Sequence, residues 1–485
     1  MLQFGSTEWT EFSRCFYNIA CASLFDYLTD KPTPAANNIQ AGLMFGLQNN
    51  ADPGAAGLLW ENGNNPENPN DIANWDMSGI KNFNNMFQNR KTLGRNGTFT
   101  LNWDAKKATN LDHMFLNCEY TGQNVENNDG FNLSNFVIGL DHQDNVTMQS
   151  MFAGCKSWSG RYAPTFKNVE QHTKNVSFNA TFKDVGYYNR DGAGQIELRL
   201  DSSWGQMFSK NKLSNWNGAS AADMFNNVKL LAVDFTEWEF GGFNSYQRMF
   251  FKVTFDAVKN PNWLHQFDNV DLTHDAPRNS SPVNGVSLNN MFGATRNLGT
   301  TNNWTIYDVR NMYQMFQNMF YTSDAAQQLW DGEKYNLPDR DFGTWNVNWY
   351  LSYPYHGGKY EFGQMFYGYG AHGNMAFPIK GLKNFEPPST TNSYLTDVDL
   401  HGMFEWAGFQ NAAGALDWSD PSNDISNWNT TNVIDMREMF KQNSGLSGST
   451  LDLRGWSVMN VTNHEDFSSG VTDWDKAPLW GQNIG

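Results

Sequence analysis

The stretch that decides the fold is Trp-Asn-Thr-Thr-Asn-Val-Ile-Asp-Met-Arg-Glu-Met-Phe, residues 428–440. After the initial Trp, its apolar anchors are Val433, Met436, Met439 and Phe440. Residues at i, i+3, i+6 and i+7 lie on one face of a helix of about two turns. The stretch therefore predicts a short helix with a single apolar side.

The same spacing recurs along the chain as an internal repeat. Four further stretches run from Trp to Met-Phe with identical spacing, at 75–87, 103–115, 238–250 and 304–316. Met-Phe pairs or degenerate versions of them mark about fifteen copies in all. Met and aromatic residues at helical spacing indicate a packed core rather than a cofactor site. The predicted core comprises Trp75, Met86, Phe87, Trp103, Met114, Phe115, Trp238, Met249, Phe250, Trp304, Met315, Phe316, Trp428, Met439 and Phe440.

Short alternating stretches precede several of the Trp residues, as at 100–103, 233–238 and 451–456. Such alternation is typical of a strand. Ser78, Thr109 and Asn432 stand where the following helices would need an N-terminal cap. One copy is therefore predicted to be strand, turn, short helix and loop.

Stacked copies of this unit predict an α/β fold, an irregular leucine-rich-repeat-like solenoid of short strands and short helices. We expect a single continuous array over 1–485. Spacing between anchors varies from 17 residues (Met207 to Met224) to 50 (Met315 to Met365), which indicates long loop insertions. The insertions are predicted near 51–72, 119–145, 186–200, 252–285, 318–360, 367–398 and 409–424.

The pattern at 428–440 resembles the BspA-like leucine-rich-repeat surface proteins, whose repeats are abundant in mycoplasma surface lipoproteins. The resemblance covers nearly the whole chain. It implies a leucine-rich-repeat-like solenoid with a role in surface adhesion or recognition, and it supplies no catalytic residues. The chain departs from that family in its irregular period, and it carries neither a recognisable signal peptide nor a lipid-attachment cysteine. These departures favour a virion or appendage component.

Composition excludes several classes of partner. The formal net charge is −17 and the pI is near 4.9, which disfavours nucleic acid and anionic membranes. No apolar stretch approaches the length of a membrane span, so membrane insertion is not expected. Cys118 and Cys155 each follow a repeat Phe by three residues and are predicted to be small buried residues. The alternative is a disulfide between the two copies.

Exposed aromatic side chains mark the candidate ligand site. They cluster in and after the insertion at 348–360, beside Asn, Asp and Gly, a combination that suits sugar or peptide binding. The alternative is that the rings pack the insertion onto the scaffold. The predicted ligand-binding residues are Trp349, Tyr350, Tyr353, Tyr355, Tyr360, Tyr367 and Tyr369.

Catalytic chemistry finds little support in the sequence. The nucleophile, zinc-protease and phosphate-loop motifs are missing, and we expect no catalytic residue, metal site or cofactor. The pairs Asp339 with Asp341 and Asp397 with Asp399 could in principle serve glycoside hydrolysis. A polysaccharide-cleaving enzyme is therefore the third hypothesis.

The leading hypothesis is a non-enzymatic structural or recognition protein on a virion or extracellular appendage, such as a phage tail fibre, spike or decoration protein. The alternative is a bacterial cell-surface adhesin of the BspA-like kind. Expected partners are other subunits of an assembly, or a host receptor or surface glycan. We expect the chain to be oligomeric or bound in an assembly, at a virion, extracellular or cell-surface location.

Overall fold

The structure is a computed structural model. It describes residues 4–5, 8–19, 30–34, 39–47, 60, 62–119, 130–140, 142–172, 174–186, 198–200, 204, 219–241, 243–272, 286–307, 309–319, 328–329, 338–348, 359–369, 376–388, 397–407 and 416–481. The chain forms two compact units, which are described separately. The first is Met1–Val233 with Glu237–Phe243, and the second is Asp234–Thr236 with Asn244–Gly485.

The first unit is built from short parallel strands. They are β1 (Glu8–Trp9), β2 (Thr33–Pro34), β3 (Ile39–Gln40), β4 (Ile80–Asn82), β5 (Phe99–Thr100), β6 (Asp104–Ala105), β7 (Phe131–Asn132), β8 (Val137–Gly139), β9 (Val146–Thr147), β10 (Thr165–Lys167), β11 (Val176–Ser177) and β12 (Ala219–Ser220). The pairs are β1 with β2, β3 with β4 and β5 with β7. Two three-stranded groups run β6–β8–β10 and β9–β11–β12.

The second unit repeats this construction. Strand β13 (Phe243–Ser245) begins on the last residue of the first unit. The others are β14 (Val286–Ser287), β15 (Thr305–Tyr307), β16 (Val309–Asn311), β17 (Arg340–Asp341), β18 (Asn346–Asn348), β19 (Tyr360–Glu361), β20 (Ile379–Lys380), β21 (Val398–Asp399) and β22 (Val433–Asp435). One parallel sheet runs β13–β14–β16–β19–β21–β22, so successive copies are neighbours. Smaller parallel pairs are β15 with β18 and β17 with β20.

Single-turn 3₁₀ helices complete the regular structure, at Ile72–Asn74, Val169–Gln171, Phe342–Thr344, Leu382–Asn384, Pro421–Asn423 and Ser444–Leu446. In the part of the chain that is described, no helix has the length and hydropathy needed to span a bilayer.

The predicted α/β class with strand-plus-helix units is wrong. Wherever a Met-Phe pair lies in the described ranges, the surrounding segment consists of turns rather than an α-helix. In the copy at 83–90, the N–H groups of Met86, Gln88 and Arg90 donate three residues back, which makes overlapping β-turns. The N–H groups of Phe83 and Phe87 donate instead to carbonyls of the next copy, at 2.7 and 2.8 Å. Because a helix would use every N–H internally, this alternation excludes one.

Left-handed residues fix these turns. In the described Met-Phe copies from 83–90 onward, the residue before Met and the residue two after Phe have positive φ, as at Asn85 (φ 55°) and Asn89 (φ 63°) or at Gln364 (φ 53°) and Gly368 (φ 62°). Asn and Gly tolerate this region best. The spacing i, i+3, i+4 is common to a helix and to a run of overlapping turns, so periodicity could not distinguish them.

The predicted helix caps at Ser78, Thr109 and Asn432 are replaced by a different capping position. The last residue of the strand before each turn accepts from the N–H two residues on, as Asn82 accepts from Asn84, Asn311 from Tyr313 and Asp435 from Arg437, at 2.9–3.0 Å. Within the second unit this position is in register between neighbouring copies, which pairs Ser287 with Asn311, Asn311 with Glu361, and Asp399 with Asp435. The copies with Asn or Asp at this position therefore start their turns with a short polar side chain that bonds its own backbone.

The core is a column of stacked rings. Within the second unit, the repeat phenylalanines stack with centroids 5.5–5.9 Å apart along Phe250, Phe292, Phe316, Phe366, Phe404 and Phe440. The column ends at Phe467, which meets Phe440 edge-on at 69°. The first unit has an equivalent column from Phe16 to Phe225. All fifteen predicted core residues are buried, none more than 5% exposed.

Two of the predicted insertions contain strands of their own. The insertion near 119–145 contains β7 and β8, and the insertion near 367–398 contains β20; each strand pairs with a strand of a neighbouring copy. Each unit therefore has short parallel strand pairs in addition to those that precede the Met-Phe turns.

Gly94 offers a test of the close packing between copies. Its φ is +70°, and a Cβ there would lie 2.1 Å from the carbonyl oxygen of Gly130. We expect Gly94→Ala to lower the free energy of unfolding by about 1–3 kcal/mol. Gly455 has open space around it, so Gly455→Ala is the control and should change stability little. Equal urea midpoints for the two variants would contradict this packing.

Candidate binding surface

The turns place half of their side chains in the core and half outside. In the copy at 312–317, Met312, Met315 and Phe316 are buried, whereas Tyr313, Gln314 and Gln317 are half-buried and face outward. Neighbouring copies in the second unit put their outward residues beside these. We call this the outer turn face and define it by the half-buried Tyr313, Gln314, Gln317, Gln364, Tyr367, His401, Glu438 and Lys441, together with the buried polar residues Asn290 and Glu405 that bond to them.

A chain of side-chain amides crosses three copies of the outer turn face. The amide of Asn290 donates to Gln314 at 2.9 Å, and Gln314 donates to Gln364 at 2.6 Å. Gln317 donates back to Asn290 at 2.7 Å. The Tyr313 hydroxyl also donates to the Gln364 oxygen, at 3.0 Å. These bonds hold each amide in one orientation. Asn290 is buried and also donates to Asn289, so the donor and acceptor capacity left for a ligand lies on the half-buried Gln314, Gln317 and Gln364.

Tyr367 and Glu405 extend the surface towards acidic residues. Burial raises the pKa of the Tyr367 hydroxyl, and the carboxylates of Glu405 and Glu438 raise it further. Burial also raises the pKa of Glu405, again with repulsion from Glu438. Lys441 pairs with Glu438, so the negative charge of Glu405 and Glu438 is only partly compensated.

A charged cluster lies next to the outer turn face, where β19, β21 and β22 end. The Asp399 side chain is only 4% exposed, and its two oxygens contact Lys359 Nζ at 2.5 Å and His401 Nδ1 at 2.7 Å. Burial opposes ionisation of Asp399, but the hydrogen bonds from His401 and Lys359 outweigh it and hold its pKa at about 2. Asp435, its neighbour in the sheet, contacts Arg437 Nε at 3.5 Å. These contacts hold the Asp399 carboxylate in one position between Lys359 and His401.

The seven predicted ligand-binding residues are not brought together as one exposed site. Trp349, Tyr350, Tyr353 and Tyr355 lie outside the described residues. Tyr360 and Tyr369 are buried, at 3% and 0% exposure. The hydroxyl of Tyr369 accepts from Arg340 and donates to the Phe377 carbonyl, which makes it a packing residue. Tyr367 alone among the described members lies on the outer turn face.

The sequence did carry a signal for the residues that were missed. Gln314, Gln364 and Glu438 all occupy the position just before Met; this position and the one before it vary among copies, whereas the apolar positions on either side of the two recur. A position that varies between two constant core positions is expected to face outward. His401 sits two residues before its Met and was missed for the same reason.

The thiols of Cys118 and Cys155 are free and buried. Each donates to a carbonyl of the preceding copy, Cys118 to Phe87 at 3.4 Å and Cys155 to Phe115 at 3.2 Å. Burial, with the neighbouring Cys155, raises the pKa of Cys118 well above its ordinary value. The prediction of buried small residues is confirmed by this environment, and the alternative of a disulfide is not realised.

Comparison with known proteins gives one match, to the family described as "Mycoplasma protein of unknown function, DUF285". The matched residues are 60–193, 279–346 and 399–478, which together make more than half of the chain. This chain belongs to the DUF285 family. The matches include four of the five Trp-to-Met-Phe stretches and the charged cluster from Asp399 to Asp435, so the DUF285 pattern is the repeat described above. No curated protein and no solved structure matches the chain significantly.

Proposed function

We propose that this DUF285 protein is a non-enzymatic recognition protein that binds a surface glycan or a partner protein through the outer turn face. The observation that carries the proposal is the oriented amide chain from Asn290 to Gln364, flanked by Tyr313 and Tyr367. Amides can donate to and accept from sugar hydroxyls or peptide groups, and half-buried tyrosines offer ring faces at little entropic cost.

The repeat makes this surface suited to an extended ligand. Neighbouring copies present equivalent positions at intervals set by the ring column, 5.5–5.9 Å in the second unit. A ligand that itself repeats can therefore make similar contacts with several copies, and weak contacts add up.

One carboxylate of each pair that suggested an enzyme is used within the fold. Asp341 accepts from the N–H of Gly343 at 2.8 Å, and Asp399 is bonded to His401 and Lys359. Carboxyl groups tied up in this way are poorly placed to flank a glycosidic bond. This supports the non-enzymatic proposal over polysaccharide cleavage.

For the setting, we propose display on a virion or an extracellular appendage, with a BspA-like bacterial cell-surface adhesin as the alternative. The DUF285 match is consistent with the repeat pattern on which both of these proposed locations are based. Co-sedimentation of the protein with intact virus particles, compared with its recovery in washed cell envelopes, separates the two.

The recognition proposal is tested on an array of surface glycans. We expect the double variant Tyr313→Ser, Tyr367→Ser to lose at least tenfold in affinity for the glycan that the native protein binds, with a small change in melting temperature. The matched control is Tyr353→Ser, Tyr355→Ser in the insertion. If only the insertion variant loses binding, the insertion is the site and the outer turn face is not. Absence of binding to any arrayed glycan would overturn the glycan form of the proposal.

A further inference from the structure

We propose that the protein associates head to tail with a second copy of itself, through two rows of backbone groups that complement each other. The donor row consists of N–H groups of the repeat copy at 463–470. The acceptor row consists of carbonyl groups of the repeat copy at 11–18. The inference is independent of the proposed recognition function.

The donor row follows from the direction of the bonds between repeat copies. Alternate N–H groups of the copy at 436–442 donate to carbonyls of the copy at 463–470, at 2.8–2.9 Å. That copy has the same turns, with positive φ at Asp466 and Gly470. Its own alternate N–H groups, however, have no acceptor within the described part of the chain. They belong to His464, Asp466, Ser468 and Gly470, of which all but Ser468 are exposed.

The acceptor row is the counterpart on the copy at 11–18. Alternate N–H groups of this copy donate to carbonyls of the copy at 40–46, at 2.8–3.1 Å, and positive φ recurs at Arg14 and Asn18. Its turns are therefore built like those at 463–470. The carbonyls that face the other way receive no hydrogen bond from any residue that the structure describes. They belong to Glu11, Ser13, Cys15 and Tyr17.

The side chains that begin the two rows form a pair that already occurs inside the fold. Asn311 and Glu361 lie in register on neighbouring copies, and the Asn311 amide donates to the Glu361 carboxylate. Asn463 and Glu11 hold the corresponding positions of their copies. The Asn463 oxygen accepts from an N–H of its own turn, at 3.2 Å, which leaves its amide N–H groups to donate. Stacking the two rows would therefore repeat the bond from Asn311 to Glu361.

The charges beside the rows are also complementary. Asp466 and Arg14 hold the outward position that Gln314 and Gln364 hold in their copies, and those two amides are bonded across the copies at 2.6 Å. The Asp466 side chain is 50% exposed. Arg14 is exposed and has no carboxylate partner among the residues described. Stacked rows would place these opposite charges side by side.

The contact between the two copies is mainly polar. Trp480 packs edge-on against Phe467, with centroids 5.1 Å apart, where the ring column ends. Hydrogen bonds and charge, rather than burial of that column, therefore hold the second copy. Because the two rows are different surfaces, each added copy brings a further open row. Such a head-to-tail contact grows beyond a dimer, into open chains or closed rings.

The test is sedimentation velocity of the full chain over a range of micromolar concentrations. We expect the average mass to rise with concentration past two copies of 55.1 kDa. Arg14→Glu and Asp466→Arg each place like charges together and should raise the dissociation constant at least about tenfold. The turns accept both side chains at this position, as Glu438 and Arg248 show. The double variant restores opposite charges and should recover association.

The matched control is Arg161→Glu, which should leave the dissociation constant unchanged. Arg161 is exposed and lies 5.6 Å from the Tyr162 ring, much as Arg14 lies 6.0 Å from the Tyr17 ring. Melting temperatures check that each variant folds. A native protein that stays monomeric, or a mass that stops at two copies, would overturn the proposal. Equal effects of Arg161→Glu and Arg14→Glu, or a folded double variant that does not associate, would also overturn it.

Discussion

Replacing Phe316 with Ala is expected to lower the free energy of unfolding by about 3–5 kcal/mol. The ring is fully buried and stacks between Phe292 and Phe366, with centroids 5.9 and 5.8 Å away. The guanidinium of Arg340 lies 5.3 Å from its centroid. Truncation removes a member from the middle of the ring column and leaves a cavity that neighbouring copies, fixed by backbone bonds, cannot close. Urea unfolding followed by tryptophan fluorescence measures the change.

A methionine pair provides the control for this prediction. Met315 is fully buried beside Phe316, whereas Met459 is 66% exposed. Met315→Ala should cost about 2–5 kcal/mol, and Met459→Ala should stay within about 0.5 kcal/mol. Similar losses for both methionines would show that the column does not form the core.

The second large effect is expected at Arg340, whose side chain is fully buried. Its guanidinium donates to Thr301 Oγ1 at 3.0 Å, to the Gly299 carbonyl at 2.9 Å and to the Tyr369 hydroxyl at 3.2 Å. Arg340→Met keeps most of the volume but leaves these acceptors buried without their donor, at about 1–3 kcal/mol for each such group. We expect a total loss of at least about 3 kcal/mol.

Arg454 is the matched control for Arg340. It lies on the surface with a side chain 53% exposed and pairs with Asp452 at 2.6 Å. Exposed ion pairs contribute little, so Arg454→Met should leave the melting temperature almost unchanged. Thermal melts of both variants compare them directly. An Arg340→Met protein as stable as Arg454→Met would mean that the buried guanidinium is dispensable.

The repeat and its core could be predicted from the sequence, because identical apolar spacing in many copies leaves little choice about what is buried. The turns could not be distinguished from a helix by sequence, since overlapping turns place Phe83, Met86 and Phe87 on one side just as a helix does. A helix and overlapping turns differ in the acceptor of every second backbone N–H group. In this protein that acceptor is a carbonyl of another copy. The Asn and Gly residues at Asn85, Asn89 and Gly368 were the available signal.

The candidate site was predictable only in part. Tyr367 was chosen for its aromatic ring and does lie on the outer turn face. Tyr369, two residues later, has the opposite orientation because it bonds Arg340 in the core. The pairing of Asp399 with Lys359 depends on which strands lie side by side, and insertions of unequal length hide that register in the sequence.

The direction of the bonds between copies has a consequence for how the chain is made. In the turns, the earlier copy donates and the later copy accepts, as Phe83 donates to Asn110 and Met436 to Asn463. A ribosome delivers the earlier copy first. The alternate backbone N–H groups of each newly made copy therefore lack their acceptors until the next copy has been synthesised. The growing end of the chain is thus an unpaired edge throughout synthesis. A pause in translation within a long insertion would prolong that exposure, so synthesis speed becomes a condition for correct assembly.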